Sequence, residues 1–202
     1  MWQSIDSGKL SKKENYQLLT SAVLPRPIAF VTSLAEDGTL NAAPFSFFNV
    51  LSAQPPLLSV SVGRRGDSQK DTARNILEQG EFVVHITDEK NAEAMNETAA
   101  SLAPDESEAE KAGLTPVEST AVKVPGLKES RIRLECKLEQ HLVFEEGDTK
   151  TDLIIGRVLH YHLADEVLKD GKIDVHQLSP VARLGGRDYT KLGEVFSLDR
   201  PD

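Results

Sequence analysis

From Ile132 to Leu138 apolar and polar residues alternate: Ile132, Leu134, Cys136 and Leu138 interleave with Arg133, Glu135 and Lys137. A period of two is the pattern of a strand with one face in the core and the other toward water. Arg131 to Phe144 and Thr151 to Leu163 flank the turn sequence EEGDTK and predict a long hairpin. Earlier, PRPIAFVTSLAEDGTLNAAPF holds a β-branched and aromatic run, an Asp37-Gly38 turn and a return strand, a second hairpin pattern. PPLLSVSVG reads as a further strand, with Pro55 and Pro56 ahead of its start, where a missing N–H costs least. EFVVHIT reads as another. Six strands joined mostly by short turns predict a mainly β fold, an antiparallel barrel closed so that no edge is left open. One domain over residues 1–202 is expected, with flanking helices.

Period-2 alternation fails in three places. Lys12 to Leu19 predicts a short amphipathic helix. Ser68 and Asp71 stand as S-x-x-D ahead of Ala73, Ile76 and Leu77, predicting a helix that starts near Lys70 and stops near Gly80. The Ala- and Glu-rich stretch 91–120 lacks β signals. It predicts helix broken at Pro104, and the cluster of Asp105, Glu106, Glu108 and Glu110 marks it as a solvated flap over one barrel mouth.

Composition narrows the partners. A formal net charge of -9 opposes unspecific binding to phosphodiester polymers, so nucleic acid is not expected. No apolar run approaches the roughly 18 residues of a spanning helix, and MWQSIDSGKLSKKENYQLL has no apolar signal region, so no membrane contact and a cytoplasmic location are expected. Cys136 is the only cysteine, which excludes an intrachain disulfide, and its alternation points it into the core. His160 and His162 share a strand face at i and i+2 without an evident third metal ligand, and His141 and His176 have no recognisable partners.

Two stretches suggest chemistry. SVGRRGDSQKDTARNI gathers Arg64, Arg65 and Lys70 just ahead of a helix N-terminus, whose exposed N–H groups already make that end positive. One reading leaves these cations solvated, with Ser68 or Asp71 capping the helix. The other places a phosphate there, held by backbone N–H groups, the Thr72 hydroxyl, Lys70 and Arg64. Asp71 competes with an anion for the same N–H groups unless it turns aside to a cation. No G-x-x-x-x-G-K-[ST] or G-x-G-x-x-G pattern is present. In NAAPFSFFNV the small residues Ala42, Ala43 and Pro44 neighbour Ser46, Asn49 and three phenylalanines. A flat heteroaromatic ring needs close backbone approach, hydrogen-bonding groups and an apolar wall, and these meet here. Ring and phosphate together describe a mononucleotide such as FMN.

LPRPIAFVTS, NAAPFSFFN, PPLLSVSVGRR, KDTARNI, GEFVV, ETAA, EKAGLTP and RLGGRDYTKLGEVFSL occur in that order over most of the chain. In these pieces the sequence resembles the flavin reductase-like family of the FMN-binding split barrel fold, in particular its flavoredoxin-like branch. The resemblance implies FMN at the dimer interface of a six-stranded Greek-key barrel. It assigns ring contacts to Thr32, Ser33, Ala43, Pro44, Ser46, Phe47 and Asn49, phosphate contacts to Ser61, Arg64, Lys70, Asp71 and Thr72, and a flavin-side position to Tyr189. His85 departs from the family's common GEFVVN, and LSPVARLGGRDY lacks the histidine that precedes the C-terminal tyrosine in short two-component reductases.

The function implied is an FMN-dependent oxidoreductase carrying electrons from NAD(P)H to a flavin or protein acceptor. The cofactor carries the chemistry, so no side chain is assigned as catalytic and no metal is invoked. A flavin-binding electron carrier or storage module without a nicotinamide site, and an empty barrel acting as an interaction scaffold, are the alternatives. A homodimer is expected, because the C-terminal apolar residues have no place in a six-stranded core.

Overall fold

The computed structural model describes residues 1–100, 102 and 106–201. Helix α1 (Lys12–Ala22) opens on a capping box, with Ser11 Oγ accepting from Glu14 N and the Glu14 carboxylate accepting from Ser11 N. After the short β1 (Arg26–Pro27) come β2 (Ala29–Leu34), β3 (Leu40–Phe45), β4 (Phe48–Ala53) and β5 (Pro56–Gly63). Then follow α2 (Asp71–Gln79), β6 (Glu81–Ile86), α3 (Ala92–Glu97), α4 (Glu108–Lys111), β7 (Pro116–Val117) and β8 (Gly126–Leu127). The long strands β9 (Ile132–Glu146) and β10 (Thr149–Leu163) precede β11 (Leu168–Lys169), β12 (Lys172–Ile173), α5 (Val175–Leu178), β13 (Val181–Arg183) and β14 (Tyr189–Lys191).

All the expected hairpins form, and the main antiparallel sheet has seven strands in the order β3-β2-β6-β9-β10-β5-β4. The seventh arises because NAAPFSFFNV divides at Ser46 and Phe47 into β3 and the start of β4, which turns back onto β5. The sheet curls into a barrel until β3 contacts β5, and Phe45, Val60, Phe82, Cys136 and Ile154 fill its interior. Gly156 on β10 is required there: a Cβ would lie 2.3 Å from Cζ of the fully buried Phe82. Burial pushes the Cys136 thiol pKa up and leaves it a packing residue.

The stretch after β6 is not a solvated flap. The expected break at Pro104 lies outside the described residues, but α3, α4 and the chain after them cover the outer face of β2, β3 and β6, making a second core of Phe30, Val83, Met95, Ala109, Leu114 and Leu127. Apolar residues between the charged ones cause this. Glu108, read as a surface charge, is buried and accepts hydrogen bonds from Asn41 Nδ2 (2.9 Å) and Ala42 N (3.3 Å) on β3.

Two other polar positions are likewise covered. Glu135, on the polar side of β9, is buried and accepts from Thr120 N, Ala121 N and His162 Nε2. Burial raises its pKa, yet these donors hold it below the usual carboxylate range. His85 sits in the wall between the two cores. Its Nδ1–H donates to Phe30 O (2.8 Å), and its Nε2 accepts from Leu127 N (2.9 Å), because a carbonyl only accepts and an amide N–H only donates.

Candidate functional site

The loop after β5 delivers the cation-rich stretch to the N-terminus of α2. Lys70 occupies the N-cap position with extended backbone (φ -72, ψ 153), and among the described residues no side-chain capping hydrogen bond is made there. Its ammonium cannot accept from an N–H, so the N-cap residue itself offers the first-turn donors no partner. Asp71, the competitor for those donors, turns aside to Arg74 at 2.7 Å. Desolvation, with the Arg65 charge nearby, lowers the Lys70 pKa. Its Nζ also lies 5.8 Å from the Phe45 ring centroid.

A cleft of about 440 Å³ opens at this helix end, lined by Ala43, Pro44, Arg65, Lys70, Thr72 and Ala99 among others. Beneath it runs a buried network. Thr72 Oγ1 donates to Asn41 Oδ1 (2.7 Å), Ser33 Oγ donates to the same oxygen (3.3 Å), and Asn75 Nδ2 donates to Ser33 Oγ (3.4 Å). Glu108 completes it from α4, its pKa raised by burial and by the Asp71 charge despite its hydrogen bonds. The floor of the cleft is thus fixed by side chains from β2, β3, α2 and α4. A smaller cavity of about 140 Å³ adjoins the cleft, sharing Pro44, Phe45 and Ala99 with it, and Ser46 and Tyr189 face it.

The expected contacts therefore divide. Ala43, Pro44, Lys70, Asp71 and Thr72 line the cleft, and Ser46 and Tyr189 line its neighbour. Thr32 and Ser33 are fully buried beneath, with Thr32 Oγ1 donating to Pro125 O (2.8 Å). Phe47 and Asn49 are exposed around the sheet's β4 edge, and half-buried Ser61 joins them by donating its N–H to Phe47 O. Arg64 does not join Lys70. It forms a bidentate pair with the fully buried Asp152 (2.7 and 2.8 Å), and Arg65 lines the cleft instead. A carboxylate buried at that depth requires a counter-ion, and Arg64 supplies it. His141, expected to be without a partner, also meets Asp152 at 2.8 Å. Burial raises the Asp152 pKa, but Arg64, His141 and Gln69 together hold it below the usual range.

Asn41, Arg65, Arg74, Thr98, Ala99 and Glu108 were missing from the expected site. Arg74 carried a signal, being the i+3 partner of Asp71 on a helix. Among the described residues, no group of three or more His, Cys, Asp or Glu could hold a metal ion, and no helix is long and apolar enough to cross a membrane.

The chain is 57% identical over 200 residues to a protein of Halalkalibacterium halodurans, covering 98% of this chain and 96% of that one. The crystal structure of nitrilotriacetate monooxygenase component B from Bacillus cereus superposes with a TM-score of 0.96 at 50% identity, covering 98% of this chain and 99% of that one. Pseudomonas fluorescens 2-nitrobenzoate 2-nitroreductase superposes with a TM-score of 0.89 at 33% identity, covering 98% and 96%. Residues 21–179 match the model of the flavin reductase like domain. The barrel, the cleft at the α2 N-terminus and these likenesses agree, and the chain belongs to the flavin reductase-like family of flavin-related oxidoreductases.

Proposed function

We propose that this protein is an FMN-dependent NAD(P)H oxidoreductase that passes electrons from the nicotinamide through its flavin to a flavin or protein acceptor, acting in the cytoplasm as a homodimer. The observation that carries the reading is the N-terminus of α2: its N-cap residue Lys70 gives no side-chain cap, Asp71 is drawn off to Arg74, and Lys70 and Arg65 line the cleft there. A terminal phosphate dianion would accept from the backbone donors and pair with Lys70, with Arg65 at the cleft wall adding to the positive field, which favours FMN. FMN, when bound, supplies the redox chemistry at its ring. Lys70, Arg65 and the first-turn N–H groups hold the phosphate, while the small side chains of Ala43 and Pro44 admit a flat ring against β3.

Component B in the name of the Bacillus cereus relative supports a role beside a second protein that receives the electrons. Exposed Phe47, Val50 and Leu51 around β4, Val143 and Phe144 near the hairpin tip, and Phe196 and Leu198 in the C-terminal segment support a second subunit. FMN and riboflavin titrated into apoprotein at fixed ionic strength test the site. Lys70→Ala is expected to weaken FMN by about tenfold or more, the loss of one charge-assisted contact, and to leave riboflavin unchanged. Equal losses for both ligands would remove the phosphate from this helix. Anaerobic stopped-flow mixing with NADH and NADPH tests the donor: rapid bleaching of the flavin is expected, and its absence with both makes the protein an electron carrier instead.

A further inference from the structure

The small cavity beside the cleft holds a cation that the proposed flavin site does not use. Arg183 on β13 is half-buried, and its Cζ stacks 4.5 Å from the Tyr189 ring centroid. Its Nη1 donates to Tyr189 Oη and its Nη2 to Gly186 O (2.6 Å), while Tyr189 Oη donates to Asn96 Oδ1 (2.9 Å). The guanidinium is thus held in place by neutral groups. Among the described residues no carboxylate pairs with it, unlike Arg64, Arg131 and Arg157, each of which meets an acid within 3.0 Å. Apart from Arg183, Tyr189 and Ser46, the lining is apolar: Ile28, Pro44, Phe45, Met95 and Ala99.

A guanidinium held by neutral groups among the described residues, at the wall of a largely apolar cavity, suits an anion that carries its own apolar body. The cavity measures about 140 Å³. That is close to the roughly 150 Å³ of a cavity that accommodates benzene. We propose that it is a subsite for a small aromatic carboxylate, with the ring between Ile28, Phe45 and Met95 and the carboxylate on the free N–H edge of Arg183. Because Pro44, Phe45 and Ala99 are common walls, a molecule here lies against the cofactor cleft, where an electron acceptor belongs. That last role rests on the proposed flavin function, whereas the binding itself does not. A nicotinamide dinucleotide also presents anions, but it is far larger than the cavity, which favours a carboxylate borne directly on a ring.

Isothermal titration of the full-length protein with benzoate, with and without FMN, tests the subsite; benzyl alcohol supplies the ring without the charge and acetate the charge without the ring. Benzoate is expected to bind more tightly than either. Arg183→Gln is expected to weaken benzoate roughly 10- to 100-fold and leave benzyl alcohol unchanged, with Arg183→Lys intermediate. The thermal midpoint of each variant establishes that it is folded, and Ala99→Leu, which fills the cavity and leaves the charge, is expected to exclude benzoate as well. Benzoate binding no tighter than benzyl alcohol, or surviving Arg183→Gln undiminished, would overturn the proposal. So would loss of NADH affinity in Arg183→Gln with benzoate unaffected, which would give the guanidinium to the electron donor. Benzoate binding without any FMN binding would sink the flavin reading alone, and FMN binding without benzoate would sink the subsite alone.

Discussion

Lowering the pH from 7.5 to 5 should destabilise this protein through one histidine. His85 is fully buried, neutral, and fixed in its Nδ1–H tautomer by Phe30 O and Leu127 N. Protonation would set a second N–H against the Leu127 N–H with no water to intervene. Burial, aided by the nearby Arg133 charge, lowers its pKa from 6.5 to about 4, while the Phe30 hydrogen bond and Glu129 act in the opposite direction. Because the folded pKa lies below the unfolded one, the stabilisation is complete above pH 6.5 and is lost as the pH falls toward 4. Linkage at about 1.4 kcal/mol per pH unit makes the loss about 2 kcal/mol by pH 5 and about 3 kcal/mol by pH 4. Most carboxylates titrate below pH 5, and the other four histidines are common to the natural chain and a His85 variant, so the difference between the two isolates His85. Urea unfolding at fixed protein concentration, at pH 7.5 and 5, for the natural chain and His85→Asn, measures it. The variant should be less stable at pH 7.5 and lose about 2 kcal/mol less across the window, with any flavin spectrum nearly unchanged. Parallel losses within about 0.5 kcal/mol would refute the assignment, and a large spectral shift would place His85 against the ring.

Arg64→Ala should lower the thermal midpoint by stranding Asp152, while FMN affinity stays within about twofold, the reverse of Lys70→Ala; a large loss of FMN affinity would return Arg64 to the phosphate. Gly156→Ala should cost about 1–3 kcal/mol by driving a methyl into Phe82, read as a lower urea midpoint, and Phe82→Leu in that background should recover part of it. Sedimentation should show two chains per particle at micromolar concentration, and a single chain with flavin bound would remove the dimer.

The barrel was legible because each hairpin carries its own periodicity and turn, and the ends of α2 because Lys70 and Gly80 bracket an amphipathic run. Gly80 indeed adopts the left-handed conformation that closes the helix. What could not be read was pairing between distant segments. Alternation separates Arg64 from Arg65, but only the neighbouring β10 shows that Asp152, 88 residues on, takes the first and leaves the second at the cleft. Asp152 and His141 lie diagonally across the β9–β10 hairpin, so the hairpin register was enough to reveal that contact. Glu108 looked like one solvated acid among several, since the Asn41 and Ala42 donors that bury it lie more than 60 residues away. β4 was missed because the run from Pro44 to Val50 contains no break after its proline, and the exposed Phe47 marks the bend.

The grip of α4 on β3 also governs how these molecules behave in a crowded solution. An end strand of a sheet exposes a row of amide and carbonyl groups that recruits strands from neighbouring molecules and seeds aggregation. On β3 that row is blunted: Ser107 Oγ donates to Leu40 O, Glu108 takes Ala42 N, and Pro44 has no N–H to offer. At the opposite end of the sheet, β4 has no such cover from α4 and shows Val50 and Leu51 to its surroundings. Edge-to-edge association through β3 is thereby opposed at three successive outward positions, and a Glu108→Ala variant would free only Ala42 N while Ser107 and Pro44 still guard the strand on either side of it.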